Sequence, residues 1–238
     1  MSMDELKLPV ISCEGVRKVF GQKRQRVVAL DNVDLKLWRG ELTLLMGPSG
    51  SGKSSIIASL GGLQKPDGGI VTAFGENLWA KSGIKLNRFR RQHCGFVFQS
   101  VGLFPALTAI DQITLPLSYL GIDSKTAKRA AEKALDDVGL SDRHFSRPNE
   151  MSGGENQRVA LARMLAKSPA LIFCDEPTSA LDGKNGANVA GLLRQAATDY
   201  NAMILCVTHD ERLRPFADRI LEIEDGQIIS DSKKEQLS

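Results

Sequence analysis

Leu42-Thr43-Leu44-Leu45-Met46-Gly47-Pro48-Ser49-Gly50-Ser51-Gly52-Lys53-Ser54 is the stretch on which the reading of this chain turns. Its first residues form a short apolar run bounded by glycines, which is the pattern of a buried parallel strand. The remainder, Gly47 to Ser54, matches G-x-x-x-x-G-K-[ST], the P-loop pattern, and a helix-like run, Ser55 to Leu60, follows where the pattern requires one. Glycines there let successive backbone N–H groups converge on phosphate oxygens, and the helix N-terminus adds partial positive charge. In such a loop Lys53 reaches the β- and γ-phosphates of a nucleotide, and the Ser54 hydroxyl ligates Mg²⁺.

Two other segments carry chemistry. Leu171-Ile172-Phe173-Cys174 runs into Asp175-Glu176, so two carboxylates stand at the C-terminal end of an apolar strand. That is where open α/β sheets bind ligands; Asp175 there supports Mg²⁺, and Glu176 accepts the proton of an attacking water. A solvated turn ending in two acids competes with this reading. Ser152-Gly153-Gly154-Glu155 precedes a helical run, Asn156 to Lys167. Ser-x-x-Glu is a capping box, and the adjacent glycines also open the backbone to a ligand at a helix N-terminus.

The rest of the chain supplies the frame. Val33, Leu35 and Leu37 alternate with Asp34 and Lys36, the period of a half-buried strand. Further strand-like runs are Gly95 to Phe98, Ala170 to Cys174 and Ala202 to Val207. Ser124 is placed to cap a helix bearing Ala127, Ala130, Ala131, Ala134, Leu135 and Val138, ended by Gly139. Asp225-Gly226 marks a hairpin, Lys23-Arg24-Gln25-Arg26 a solvated hairpin tip, and Ser230 to Ser238 a frayed tail. Strands dominate to about residue 76, helices fill roughly 84 to 167, and βα units return afterwards. The expected fold is α/β: a mostly parallel core sheet, an N-terminal antiparallel β lobe and an inserted α-helical subdomain.

Composition is consistent with an ordinary globular chain of 238 residues, 42% hydrophobic and 25% charged. A net charge of +3 is too small to argue for nucleic acid. No apolar run reaches the roughly 18 residues of a membrane span, and Met1 to Val10 lacks an apolar signal core, so the chain is expected to stay where it is made. Cys13, Cys94, Cys174 and Cys206 form no C-x-x-C pair, which points to reduced, buried thiols rather than zinc or redox chemistry. His93 and His144 match no motif and are expected at the surface.

Taken together, these motifs make the chain resemble the nucleotide-binding ATPase subunit of an ABC transporter over essentially its full length. Walker A, Ser152-Gly153-Gly154, Asp175-Glu176 and Ser179-Ala180-Leu181-Asp182 occur in family order. Gln99 after Gly95-Phe96-Val97-Phe98 resembles the Q-loop, although alone it reads as a strand-end polar residue. His209 after Cys206-Val207-Thr208 resembles the switch histidine that contacts the γ-phosphate, although it could merely cap the next helix. Phe20 stands where the family stacks an aromatic on adenine, with an apolar core role as its competitor. The resemblance implies a single domain over 1–238, with its core at about 1–84 and 168–238 and the helical subdomain at about 85–167.

It further implies ATP and Mg²⁺. The ATP set is Phe20, Gly47, Pro48, Ser49, Gly50, Ser51, Gly52, Lys53, Ser54 and Ser55, with Ser152, Gly153, Gly154, Glu155 and Asp182. Catalysis falls to Glu176, His209, Gln99 and Lys53, and the metal to Ser54, Gln99 and Asp175. Met151, Asn156 and Ser55 depart from the commoner Leu, Gln and Thr without removing a group needed for hydrolysis. Leu86 to Arg91 and Leu107 to Leu117 are similar to the lipoprotein-release and macrolide-export branch. The implied partners are a second copy, head to tail, and a membrane permease at the cytoplasmic face of the inner membrane, with no nucleic acid. A solute-importer ATPase shares all this chemistry. A soluble ATPase of iron–sulfur assembly type is the other rival; only 52 residues separate Gln99 from Ser152, too few for the coiled coil of DNA-repair members.

Overall fold

A strand covered on both faces must divide its side chains between two cores, and β3 (Leu42–Met46), wholly buried, does so. Leu42, Leu44 and Met46 enter one apolar cluster and Leu45 the other. The same division separates Ile172 and Cys174 from Leu171 and Phe173 in β7 (Leu171–Asp175), and Ile204 and Cys206 from Met203, Leu205 and Val207 in β8 (Met203–Val207). This is why these strands read as continuous apolar runs instead of alternating ones. The computed structural model describes residues 8–21, 25–179 and 181–233.

With β6 (Cys94–Val97), β9 (Arg219–Glu224) and β10 (Gln227–Lys233), these strands form a sheet in the order β10-β9-β3-β8-β7-β6. All pairings are parallel except that of β10 with β9. One face is covered by α1 (Lys53–Leu60) and by an antiparallel sheet ordered β2-β1-β4-β5, where β1 is Ile11–Phe20, β2 Val27–Leu37, β4 Gly68–Ala73 and β5 Glu76–Asn77. Val33, Leu35 and Leu37 of β2 are buried and Asp34 and Lys36 exposed, as the alternation predicts.

The other face is covered by α6 (Gly183–Asp199) and α5 (Gly153–Leu165), and α3 (Ala109–Ser118) and α4 (Ser124–Asp137) pack on α5 as a helical lobe continuous with that core. The stretch 85–167 is therefore not helical throughout. Cys94–Val97 pairs with β7 as an edge strand of the core sheet. Phe89 of α2 (Gly83–His93) joins the cluster on the antiparallel-sheet side.

Several local expectations are adjusted. The cap of α4 is Asp123, whose carboxylate accepts from the Thr126 N–H, one position before the expected Ser124. Helix α5 starts at Gly153, not Asn156. Asp225 and Gly226 both have positive φ, 45° and 78°, as the two-residue hairpin between β9 and β10 demands. The tail is ordered as strand through Lys233, because buried Arg219 donates two bonds to Asp231, at 2.7 and 2.6 Å. Lys23, Arg24, Ala180 and the chain beyond Lys233 lie outside the described residues. All four cysteines are buried and free.

Candidate functional site

The chain leaves β3 through a loop that only glycine can shape. Gly47, Gly50 and Gly52 have φ of 155°, 83° and 102°. A Cβ on Gly47 would lie 2.1 Å from the Ile223 carbonyl oxygen, and one on Gly52 2.2 Å from that of Ala29. Gly52 occupies the N-cap of α1 and brings no side chain to cap it, so the first-turn N–H groups remain available to a ligand. The loop is pinned from behind: the Gly226 N–H donates to the Ser51 carbonyl at 3.0 Å, and the Asp31 N–H donates to the Gly226 carbonyl at 3.0 Å. The hairpin tip thus ties the phosphate loop to β2. Lys53 Nζ folds over the loop and donates to the carbonyls of Gly47 and Pro48, at 2.9 and 2.7 Å.

Above this loop lies a cavity of about 640 Å³. Its walls are Gly47 to Gly50 and Gly52 to Ser55, with Ala29, Gln99, Asp175, Glu176 and His209. The ends of β3, β6, β7 and β8 deliver these groups together, because parallel strands point their C-termini the same way. Ser51 lies behind the wall, its hydroxyl buried and without a hydrogen bond.

Glu176 leaves β7 with φ 52°, and its N–H donates to the Val207 carbonyl at 2.9 Å. That left-handed step turns the carboxylate toward the loop following β8. Glu176 Oε1 lies 2.7 Å from His209 Nδ1, and Oε2 accepts from the Thr208 hydroxyl at 3.4 Å. The imidazole therefore rests on the carboxylate and is otherwise exposed. Two acceptor oxygens facing a phosphate loop, with a histidine held on one of them, can take a proton from water beside a bound phosphate.

The other expected residues lie elsewhere on the chain. Ser152, Gly153, Gly154 and Glu155 do not line the cavity. Ser152 caps α5: its hydroxyl accepts from the Glu155 N–H at 3.2 Å, and Glu155 accepts from the Ser152 N–H at 2.7 Å. That backbone donor, followed by Arg143 Nε at 3.0 Å, holds the Glu155 carboxyl down at about 2. Glu155 is thus committed to the cap, while Ser152 and Gly153 are exposed. Asp182 caps α6, accepting from the Asn185 N–H at 2.8 Å. Phe20 is half-exposed at the end of β1, with Lys18 Nζ 5.6 Å from its ring centroid, and does not line the cavity either.

Sequence reasoning missed Ala29, which carries no functional group and is placed only by strand pairing. It also missed Thr208 and Asp210, whose roles are to orient their neighbours. The run Thr208-His209-Asp210 was the signal that could have found them. His144 pairs with Asp136 at 3.0 Å, and His93 packs against Phe74 and Phe89, where burial first and then Arg39 lower its pKa.

Comparison with known proteins bears on the whole chain. The family described as ABC transporter matches residues 30–179. The lipoprotein-releasing system ATP-binding protein LolD of Bacteroides fragilis is 38% identical over 220 residues, covering 92% of this chain and 100% of that protein. The macrolide export ATP-binding/permease protein MacB of Marinobacter nauticus is 39% identical over 97% of this chain, which spans only 36% of that protein's length. Among solved structures, the dimeric post-hydrolysis state of the ATP-binding cassette MJ0796 bound to ADP and Pi superposes with a TM-score of 0.88. It is 34% identical, with 94% of this chain and 98% of that chain covered. With the matched residues taking in the phosphate loop, Ser152-Gly153-Gly154 and the acidic strand end alike, the chain belongs to the ABC transporter family.

Proposed function

We propose that this chain binds and hydrolyses ATP as the nucleotide-binding subunit of a LolD/MacB-type transporter. The observation that carries the reading is the single cavity into which the phosphate loop, Gln99, Asp175, Glu176 and His209 all open. Its donors are aimed at an anion: uncapped N–H groups at the start of α1 and the Lys53 ammonium, which exchanges the Gly47 and Pro48 carbonyls for β- and γ-phosphate oxygens. Glu176 accepts the proton of the attacking water, and His209 holds the carboxylate in place and faces the γ-phosphate.

The donor set also fits Mg²⁺. Among the described residues no group of three or more His, Cys, Asp or Glu could hold a metal. Mg²⁺ needs none, since it takes one or two carboxylates with phosphate and water oxygens. Ser54, Gln99 and Asp175 would hold it, and it would neutralise phosphate charge.

Ser152, Gly153 and Gly154 are outside this cavity, so we assign them to the nucleotide of a second copy, head to tail, where the exposed start of α5 supplies N–H donors. Phe20 supplies the adenine face. Closure of two copies over two ATP molecules would do work on a membrane permease at the cytoplasmic face of the inner membrane. Among the described residues no helix is long and apolar enough to cross a membrane.

Comparing wild type with Glu176→Gln tests the reading. The variant should bind ATP undiminished and hydrolyse it at least about tenfold more slowly, ~1.4 kcal/mol of barrier. Turnover near the wild-type rate would remove Glu176 as the base.

A further inference from the structure

Arg212 lies outside the cavity, yet its side chain ends the chain of contacts that reaches His209. Asp210 follows His209 and opens a short 3₁₀ turn, Glu211–Phe216. Its Oδ1 accepts from the Arg212 N–H at 3.0 Å and from Nε at 2.7 Å, and its Oδ2 accepts from Nη2 at 2.7 Å. The same Oδ2 accepts from the Thr178 hydroxyl at 2.8 Å, and Thr178 is fully buried two residues after Glu176. On the other side of His209, the fully buried Thr208 hydroxyl accepts from the Asp210 N–H at 3.0 Å and donates to Glu176 Oε2 at 3.4 Å. The loops after β7 and β8 are therefore cross-laced twice, once on each side of His209.

A bidentate guanidinium fixes a carboxylate in plane as well as in position, which a single contact cannot do. Arg212 is itself fixed by a shelf on the first turn of α6. A Cβ on Gly183 would lie 3.5 Å from Nη1, and one on Gly186 3.4 Å from Nη2. The two glycines stand one turn apart, so the guanidinium lies flat across them. Arg212 in turn keeps Asp210 strongly acidic, at about 2, so the carboxylate remains an acceptor.

We propose that Arg212 is a positioning residue: seated on Gly183 and Gly186, it holds Asp210 against Thr178 and thereby sets His209 on Glu176. The inference rests on the proposed ATPase reading for its kinetic consequence, but its geometric content stands apart from it. Arg212 touches no reacting atom; its effect passes through Asp210 and the backbone to His209.

Two measurements on the full chain test it. In ¹⁵N-detected NMR of wild type without nucleotide, the His209 imidazole should report one ring position with Nδ1 engaged, and Arg212→Ala should shift and broaden that signal. Steady-state ATP turnover should show kcat lowered about tenfold or more in Arg212→Ala, with KM and the unfolding midpoint near wild type. Thr178→Val, which removes only the hydroxyl, should show the same kcat loss, and Thr178→Ser should restore it. Gly186→Leu displaces the guanidinium and should add nothing further in the Arg212→Ala background, the signature of a shared mechanism. An unchanged His209 signal together with an unchanged kcat in Arg212→Ala would overturn the proposal. So would a kcat loss that merely follows a lowered unfolding midpoint. A wild-type chain with no ATP turnover would sink the ATPase reading instead, and the NMR comparison would still decide the role of Arg212.

Discussion

Gly50 and Gly52 offer a controlled comparison, because both sit at positive φ in the same loop and differ in what surrounds them. Either one changed to alanine forces an L side chain into left-handed backbone, at about 1–2 kcal/mol. At Gly50, φ 83°, an added Cβ meets nothing within 4 Å, so that is the whole cost. At Gly52, φ 102°, the Cβ would lie 2.2 Å from the Ala29 carbonyl oxygen and 3.0 Å from Leu30 Cδ2. The oxygen belongs to backbone in β2 and cannot swing aside, so the loop or the strand must move. Overpacking of this kind costs roughly another 1–3 kcal/mol. Gly52→Ala should thus be less stable than Gly50→Ala by about 1–3 kcal/mol, or roughly 2–4 °C of midpoint per kcal/mol for a chain of this size. Urea unfolding at constant m-value measures the difference. Because the movement opens the start of α1, ATP titration calorimetry should show Gly52→Ala losing affinity in step. Equal destabilisation of the two variants would refute the close approach of the loop to β2 that defines the site.

Other outcomes follow from the same contacts. Lys53→Ala deletes the ammonium over the loop and should weaken ATP binding and abolish useful hydrolysis, read by nucleotide titration and phosphate release. Lys53→Ala and Ser152→Arg copies, each nearly inactive alone, should regain part of their turnover on mixing, since a mixed pair leaves one composite site intact. The lowered pKa of Glu155, set first by the Ser152 N–H and then by Arg143, contributes stability that is present above the usual carboxylate range and is lost as pH falls toward about 2. Glu155→Gln should therefore flatten that acid limb in a pH series of urea melts. Ser152→Ala should cost ~1 kcal/mol through loss of the cap alone.

What could be read from the sequence follows how far apart the interacting residues lie. The phosphate loop, the acidic strand end and the capping box at Ser152 are local patterns whose geometry is set by neighbours in the chain, and each lies on the element its pattern implied. Asp225-Gly226 was legible as a turn. That its N–H would brace Ser51 was not, because nothing local links residues 51 and 226. The short strand Cys94–Val97 is legible as an apolar run, but the helical periodicity of the polar helix before it and of the helices after it hides that it interrupts the helical region. Asp231 reads as tail until Arg219, twelve positions away on the paired strand, claims it. Ala29 offers no chemistry to read at all. Phe20 shows the converse: a motif position is visible in the sequence, but the side chain stands outside the cavity with Lys18 over its ring.

The most direct measurement is a disulfide trap between copies. In a background lacking the four native cysteines, all buried, Ser49→Cys and Ser152→Cys together place one thiol on the exposed rim of the phosphate loop and one at the exposed start of α5. With ATP and Glu176→Gln to hold the closed state, oxidation should yield a covalent dimer, dependent on nucleotide and absent from either single-cysteine variant. A crosslink that forms only within one chain, at every dilution and with or without ATP, would contradict a site completed by the second copy.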